Sequence, residues 1–156
     1  MEKGQQKPKA ILALCLGNIC RSPIAEGLLR VHVEKAGLQI TIDSAGTSGY
    51  HAGEAPDSRS IEVMKHHGYD ISMQRSRQLT KQDFQRFDLI LAMDESNVRN
   101  ARRLAQSDEE KNKVQLLLEG GAEVPDPYYG GQNGFETVYQ MIEQAVLNWI
   151  ALWRPW

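Results

Sequence analysis

The chain has 156 residues, 41% of them hydrophobic, which is enough for a single domain with a sizeable core. Its formal net charge of -2 gives no electrostatic case for nucleic acid or an anionic membrane surface, and no apolar stretch is long enough to span a bilayer. Two cysteines, Cys15 and Cys20, are too few for a disulfide framework or a four-cysteine metal site.

Residues 1–9 are polar, with Lys3, Lys7, Pro8 and Lys9, and read as a loose N-terminal tail on a cytoplasmic protein. Residues 10–14 read as a buried strand, while Ala25, Leu28, Leu29, His32 and Val33 recur at helical spacing. Cys15-Leu16-Gly17-Asn18-Ile19-Cys20-Arg21-Ser22-Pro23 between them is therefore a strand-to-helix turn. The first amides of a helix lack intrahelical partners and carry partial positive charge, so such a turn is an anion site.

Gly17 and Asn18 are residue types that tolerate left-handed backbone, which lets the amides from Leu16 through Ile19, Cys20 and Ser22 curl around an oxyanion. Arg21 adds a planar fork that matches phosphate oxygens. Cys15 opens the loop, where the amides, the helix dipole and Arg21 all favour a thiolate, which is a nucleophile toward phosphorus. Ser22 can donate to that sulfur and ease its later departure. A buried cysteine beside a capping arginine would leave the nest and the fork without purpose.

The first helix should stop near Gly37, and residues 38–43 read as a second strand, giving a right-handed parallel βαβ unit. Residues 44–56 read as a glycine-rich loop at the carboxyl end of the sheet, beside the Cys15 loop, so its Tyr50 is a candidate pocket wall. A helix follows with Ile61 and Met64 on one face and Gly68 as its stop. His66 and His67 are adjacent, so they point about 100° apart on a helix, and no third ligand is near; no metal is expected. Residues 69–79 read as a connection with Arg75 and Arg77 as solvated charges.

Thr80 reads as the N-cap of a short helix carrying Phe84 and Phe87, and residues 88–93 as the central strand. Asp94 and Glu95 open a further helix through Val98, Ala101 and Leu104, and residues 114–118 form the last strand. The fold class is thus α/β: a doubly wound parallel sheet of about four strands flanked by helices, with the phosphate-binding loop after the first strand.

After the last strand come Val124-Pro125-Asp126-Pro127-Tyr128-Tyr129, again at the carboxyl end of the sheet. The two prolines restrict where Asp126 points, and a carboxylic acid there can protonate a departing ester oxygen and then activate water. Tyr128 and Tyr129 line the cleft. The apolar stripe from Phe135 to Trp153 packs a C-terminal helix on the sheet with Trp149 and Trp153 in the core; Trp156 is at the exposed chain end.

The nine residues from Cys15 to Pro23 resemble the active-site loop of the low-molecular-weight protein tyrosine phosphatases. Asp126-Pro127-Tyr128-Tyr129-Gly130 resembles the general-acid loop of the same family, and the resemblance extends over residues 10–149. It implies a metal-free, cofactor-free hydrolase in which Cys15 attacks the phosphate of a phosphotyrosine protein, Arg21 and the loop amides hold the charge, and Asp126 serves as acid and base. It also implies that Ser44 bonds to Asn18 to keep it left-handed, and that Tyr50 helps select substrate. Where some relatives have a histidine beneath the loop, this chain has Met73.

Cys20 is either a small buried filler or a redox partner that traps an oxidised Cys15; the family implies the latter. Rival readings are a thiol-dependent arsenate reductase, a protein-arginine phosphatase and a non-catalytic phosphopeptide-binding module. Arsenate reductases of this fold usually use further downstream cysteines, and none follows Cys20 here, although glutathione-type coupling needs none. The arginine phosphatases have threonine at the position of Ile19. A monomer, or weak self-association through the tyrosines, completes the expectation.

Overall fold

β1 (Ala10–Cys15) is the strand on which the sheet is assembled. It pairs in parallel with β2 (Thr41–Gly46) on one side and β3 (Leu89–Ala92) on the other, and β4 (Val114–Leu116) extends the sheet beyond β3. The order is β2-β1-β3-β4, with Cys15 in register with Gly46 and Leu14 with Ala92. The computed structural model describes residues 7–128, 130 and 132–154, with Gln132 as backbone only. The expected four-stranded parallel α/β sheet is present. Because the chain leaves β1 toward β2 and later returns across it to β3, the two connections diverge and open a crevice at the carboxyl ends of β1 and β3.

Both faces of the sheet are covered, which is why its strands are nearly continuous apolar runs. Ile11, Ala13 and Cys15 join the core formed with α1 (Arg21–Lys35), α2 (Ser58–His66) and α6 (Gln132–Trp153). Leu12 and Leu14 face the other way, against α3 (Asp83–Arg86) and α4 (Glu95–Leu104) through Phe84, Phe87 and Val98. Asp57 caps α2 by accepting the Arg59 N–H, and Asp94 with Asn97 forms a capping box on α4. No helix among the described residues is long and apolar enough to cross a membrane.

Several local expectations change. β2 begins at Thr41 because the Leu38 N–H is spent on Val33 O at the end of α1. The strand runs on to Gly46, so Ser44 lies inside the sheet and not in the loop that follows. Thr80 is no N-cap: its own N–H donates to Asp83 Oδ2 at 2.8 Å. A short α5 (Asp108–Asn112), capped by Ser107, precedes β4 and is too short to show a period. Lys9 and Ala10 donate to Asp88 Oδ2, so the chain is tied to the sheet from Lys9 onward; residues 1–6 lie outside the described residues. Trp153 is buried and Trp149 is partly buried, its indole N–H donating to Leu117 O, while Trp156 lies outside the described residues.

Candidate active site

β1 delivers Cys15 to the crevice, and α1 starts six residues later at Arg21. Cys15 is 1% exposed, and its sulfur receives two contacts: the Asn18 N–H at 3.3 Å and the Ser22 hydroxyl at 3.0 Å. Ser22 Oγ already accepts from Asn18 Nδ2 at 2.7 Å, which leaves its own proton for the sulfur. The second Asn18 Nδ2 hydrogen goes to Ser44 Oγ at 3.0 Å, and Ser44 in turn donates to the buried Glu26 Oε1 at 2.6 Å. Asn18 Oδ1 accepts the Arg77 N–H at 3.0 Å. With every polar atom of its side chain engaged, Asn18 is locked at φ 58, the left-handed conformation.

Asn18 is the loop's left-handed residue; Gly17 has no positive φ, contrary to the sequence reading. What glycine supplies at position 17 is room, since a Cβ there would stand 3.1 Å from His51 Cδ2. Gly46 was not singled out in the sequence, yet it is where β2 passes under the loop: a Cβ would be 2.7 Å from Leu16 O and 3.0 Å from Asn18 N. Thr47 and Ser48 then donate to the carbonyls of Cys15 and Leu16.

The Arg21 side chain is 3% exposed. Its Nη1 donates to Asp94 Oδ2 at 2.7 Å and to Val124 O at 2.9 Å, and its Nη2 stands 3.7 Å from Asp126 Oδ2. Burial works against this charge, but the Cys15 sulfur, Asp94 and Asp126 outweigh it and raise the arginine's pKa. Asp126 is 42% exposed and accepts the Tyr128 N–H, a turn fixed between two prolines.

Cys15, Leu16, Gly17, Ile19, Cys20, Arg21 and Asp126 line one cavity of about 530 Å³ with Ser48, Tyr50, His51, Glu54 and Tyr128. Tyr50 is 85% exposed and stacks on His51, ring centroids 5.1 Å apart. Tyr128 forms the facing wall, 6.4 Å from His51. Tyr129 lies outside the described residues. Cys15 and Cys20 are both free thiols, and Cys20 is pushed up to about 12 by burial, with Asp57 and Cys15 adding to the shift.

Other residues of the site carry roles that the sequence does not show. Arg77 is no solvated charge: its half-buried fork spans Asp43 and Asp83, with contacts of 2.9 to 3.2 Å, and so fixes the backbone that holds Asn18. Met73 is exposed; the neighbouring Gln74 turns inward and donates to Pro23 O. Asp94, a helix start in the sequence, lies just after β3 and so stands at the crevice, where it accepts from Arg21. His67 stacks on Tyr139 at 3.8 Å and meets Glu136, and among the described residues no group of three potential ligands is placed to hold a metal ion.

Residues 10–153 match the family model described as low molecular weight phosphotyrosine protein phosphatase. The human protein of that name is 46% identical over 143 residues, covering 87% of this chain and 90% of the relative. A Streptomyces coelicolor low molecular weight protein-tyrosine-phosphatase is 43% identical over 150 residues, covering 90% and 91%. Among solved structures, the Entamoeba histolytica protein tyrosine phosphatase superposes with a TM-score of 0.85 at 38% identity, covering 91% and 94%. Vibrio vulnificus Wzb in complex with benzylphosphonate superposes at 0.84 with 31% identity, covering 92% and 97%. The match over nearly the whole chain, on a fold whose first loop holds Cys15 and Arg21, shows that the chain belongs to the low molecular weight phosphotyrosine protein phosphatase family.

Proposed function

We propose that this chain hydrolyses phosphotyrosine monoesters through a phosphocysteine. The Cys15 sulfur attacks phosphorus, an S–P bond forms and the P–O bond to the tyrosine breaks, while Asp126 gives its proton to the departing oxygen. Arg21 and the loop amides hold the equatorial oxygens. In the second step Asp126 takes a proton from water, the water oxygen bonds to phosphorus and the S–P bond breaks, releasing inorganic phosphate and the Cys15 thiolate. The Ser22 hydroxyl, donating to the sulfur, stabilises it as nucleophile and as leaving group.

The observation that carries this reading is that Cys15, Arg21 and Asp126, from opposite ends of the chain, line the same cavity, with Asp126 within 3.7 Å of the arginine fork. Partial exposure of Asp126 suits a group that must meet water. The rim of Tyr50, His51 and Tyr128 favours an aryl ester, in keeping with the benzylphosphonate complex of the Vibrio relative. A binding module would need neither a thiol held by Ser22 nor an acid opposite it.

The same reading takes a phosphotyrosyl protein as substrate, a cytoplasmic location, a monomer or weak self-association, and neither metal nor cofactor. It also makes Cys20 the trap for oxidised Cys15: peroxide converts the thiolate to a sulfenic acid, and the Cys20 thiol condenses with it, releasing water.

The test is turnover of p-nitrophenyl phosphate and a phosphotyrosine peptide, in EDTA, by wild type, C15S and D126N. Activity without metal, none in C15S, and a D126N loss of about 100-fold or more on the peptide are expected. Turnover retained in C15S would remove the mechanism. Consumption of arsenate with a thiol donor, and of no phosphate ester, would make the protein a reductase.

A further inference from the structure

We infer that Arg59 is a positioning residue that sets Asp126 against the phosphate-binding loop. Arg59 lies in the first turn of α2, and its side chain lines neither the Cys15 cavity nor any contact with the sulfur. Its fork nevertheless joins the two halves of the site. Nε and Nη2 donate to the two Asp57 carboxylate oxygens at 3.0 and 2.9 Å. Nη2 also reaches Tyr128 O at 2.9 Å and Nη1 reaches Gly130 O at 3.1 Å. The guanidinium carbon lies 5.6 Å over the Tyr128 ring and 4.6 Å over that of Phe135.

On its other side the same helical turn is fastened to the phosphate-binding loop. The Asp57 N–H donates to Ile19 O at 2.8 Å, and Ser60 Oγ donates to Cys20 O at 3.1 Å. The start of α2 is therefore a bracket, with the Cys15 loop bonded to its backbone and Ser60 and the Asp126 loop hung from Arg59.

The acid loop needs such a bracket. Among the described residues it belongs to no helix or strand; within it the Gly130 N–H donates to Pro127 O and the Tyr128 N–H to Asp126 Oδ1. Upstream of Asp126 the chain is held where Arg21 meets Val124 O; downstream it is held where Arg59 meets the carbonyls of Tyr128 and Gly130. Asp126 is thus suspended between two arginines, one in the cavity and one outside it. Only a planar fork can serve a carboxylate and two carbonyls together; a lysine ammonium cannot span them.

This rests on Asp126 being the general acid, and the test separates the two ideas. kcat/KM is measured on phenyl phosphate, whose leaving group needs a proton, and on dinitrophenyl phosphate, whose leaving group does not, for wild type, R59Q, R59K, D126N and R59Q/D126N. Inhibition by inorganic phosphate is read in parallel. Expected for R59Q is a fall of about 10-fold or more on phenyl phosphate, a change of less than about 3-fold on dinitrophenyl phosphate, and unaltered phosphate inhibition. R59K should be intermediate, and the double variant should match D126N. D57N, which keeps a cap acceptor on α2 while weakening the grip on Arg59, should show the same leaving-group dependence more mildly.

Equal losses on both esters, weaker phosphate inhibition, or an R59Q effect that persists undiminished in the D126N background would mean that Arg59 is merely structural. R59Q kinetics indistinguishable from wild type would also overturn the inference. If D126N itself showed no leaving-group dependence, the general-acid reading would fall first and the inference with it.

Discussion

The Arg21 guanidinium donates to the Asp94 carboxylate at 2.7 Å across 73 residues of sequence, joining the start of α1 to the cap of α4. The arginine is almost fully buried, while the aspartate side chain is 21% exposed. Since Val124 O shares the same nitrogen, this pair decides which edge of the fork remains for phosphate.

Replacing Asp94 therefore has two separable costs. D94A loses the helix cap and leaves Arg21 without its short partner, and should destabilise the fold by about 2 to 3 kcal/mol, less than a wholly buried pair would lose. D94N keeps a capping acceptor and should recover about 1 kcal/mol of this. Both variants should bind inorganic phosphate more weakly, because the fork is no longer oriented. Denaturant unfolding and phosphate inhibition read the two effects independently.

Gly46 should not tolerate a methyl group. In G46A the added carbon meets backbone, at Leu16 O and Asn18 N, where nothing can swing aside. We expect a loss of about 1 to 3 kcal/mol in stability, and a fall in kcat/KM larger than that of a glycine change at the open turn of Gly53. Thermal unfolding with steady-state kinetics on both variants checks it.

Cys20 should make the fold sensitive to alkali. Burial, with Asp57 adding to it, pushes its thiol up from the ordinary 9.0 to about 12 in the fold. A group raised in this way contributes its full stability below the unfolded value and loses it as the pH climbs toward the folded one. Wild type should thus weaken more than C20A between neutral pH and about pH 11, a difference that urea unfolding across that range measures. Parallel curves for the two proteins would show that Cys20 does not carry the effect.

The sequence by itself determined the alternation of strand and helix, and with it the parallel sheet and the loop after β1. It also put the candidate nucleophile, Cys15, and the candidate phosphate fork, Arg21, within nine consecutive residues. Cys15, Asn18, Arg21 and Ser22 are close because one turn makes them so, and the backbone preferences of those residue types are local properties. Asp126 was legible for a related reason, as an acid between two prolines at a strand's carboxyl end.

Everything that crosses the molecule was decided by tertiary structure. Arg77 looked like a surface charge because its partners, Asp43 and Asp83, belong to different elements, and Gly46 looked like one loop glycine among several until the register of β2 set it under Leu16. Arg59 gave no signal, since the carbonyls it holds are backbone atoms that every residue carries. Local sequence encodes dihedral preference and periodicity; which distant atoms meet depends on strand order and helix packing, and these fixed the partners of both Arg21 and Arg59.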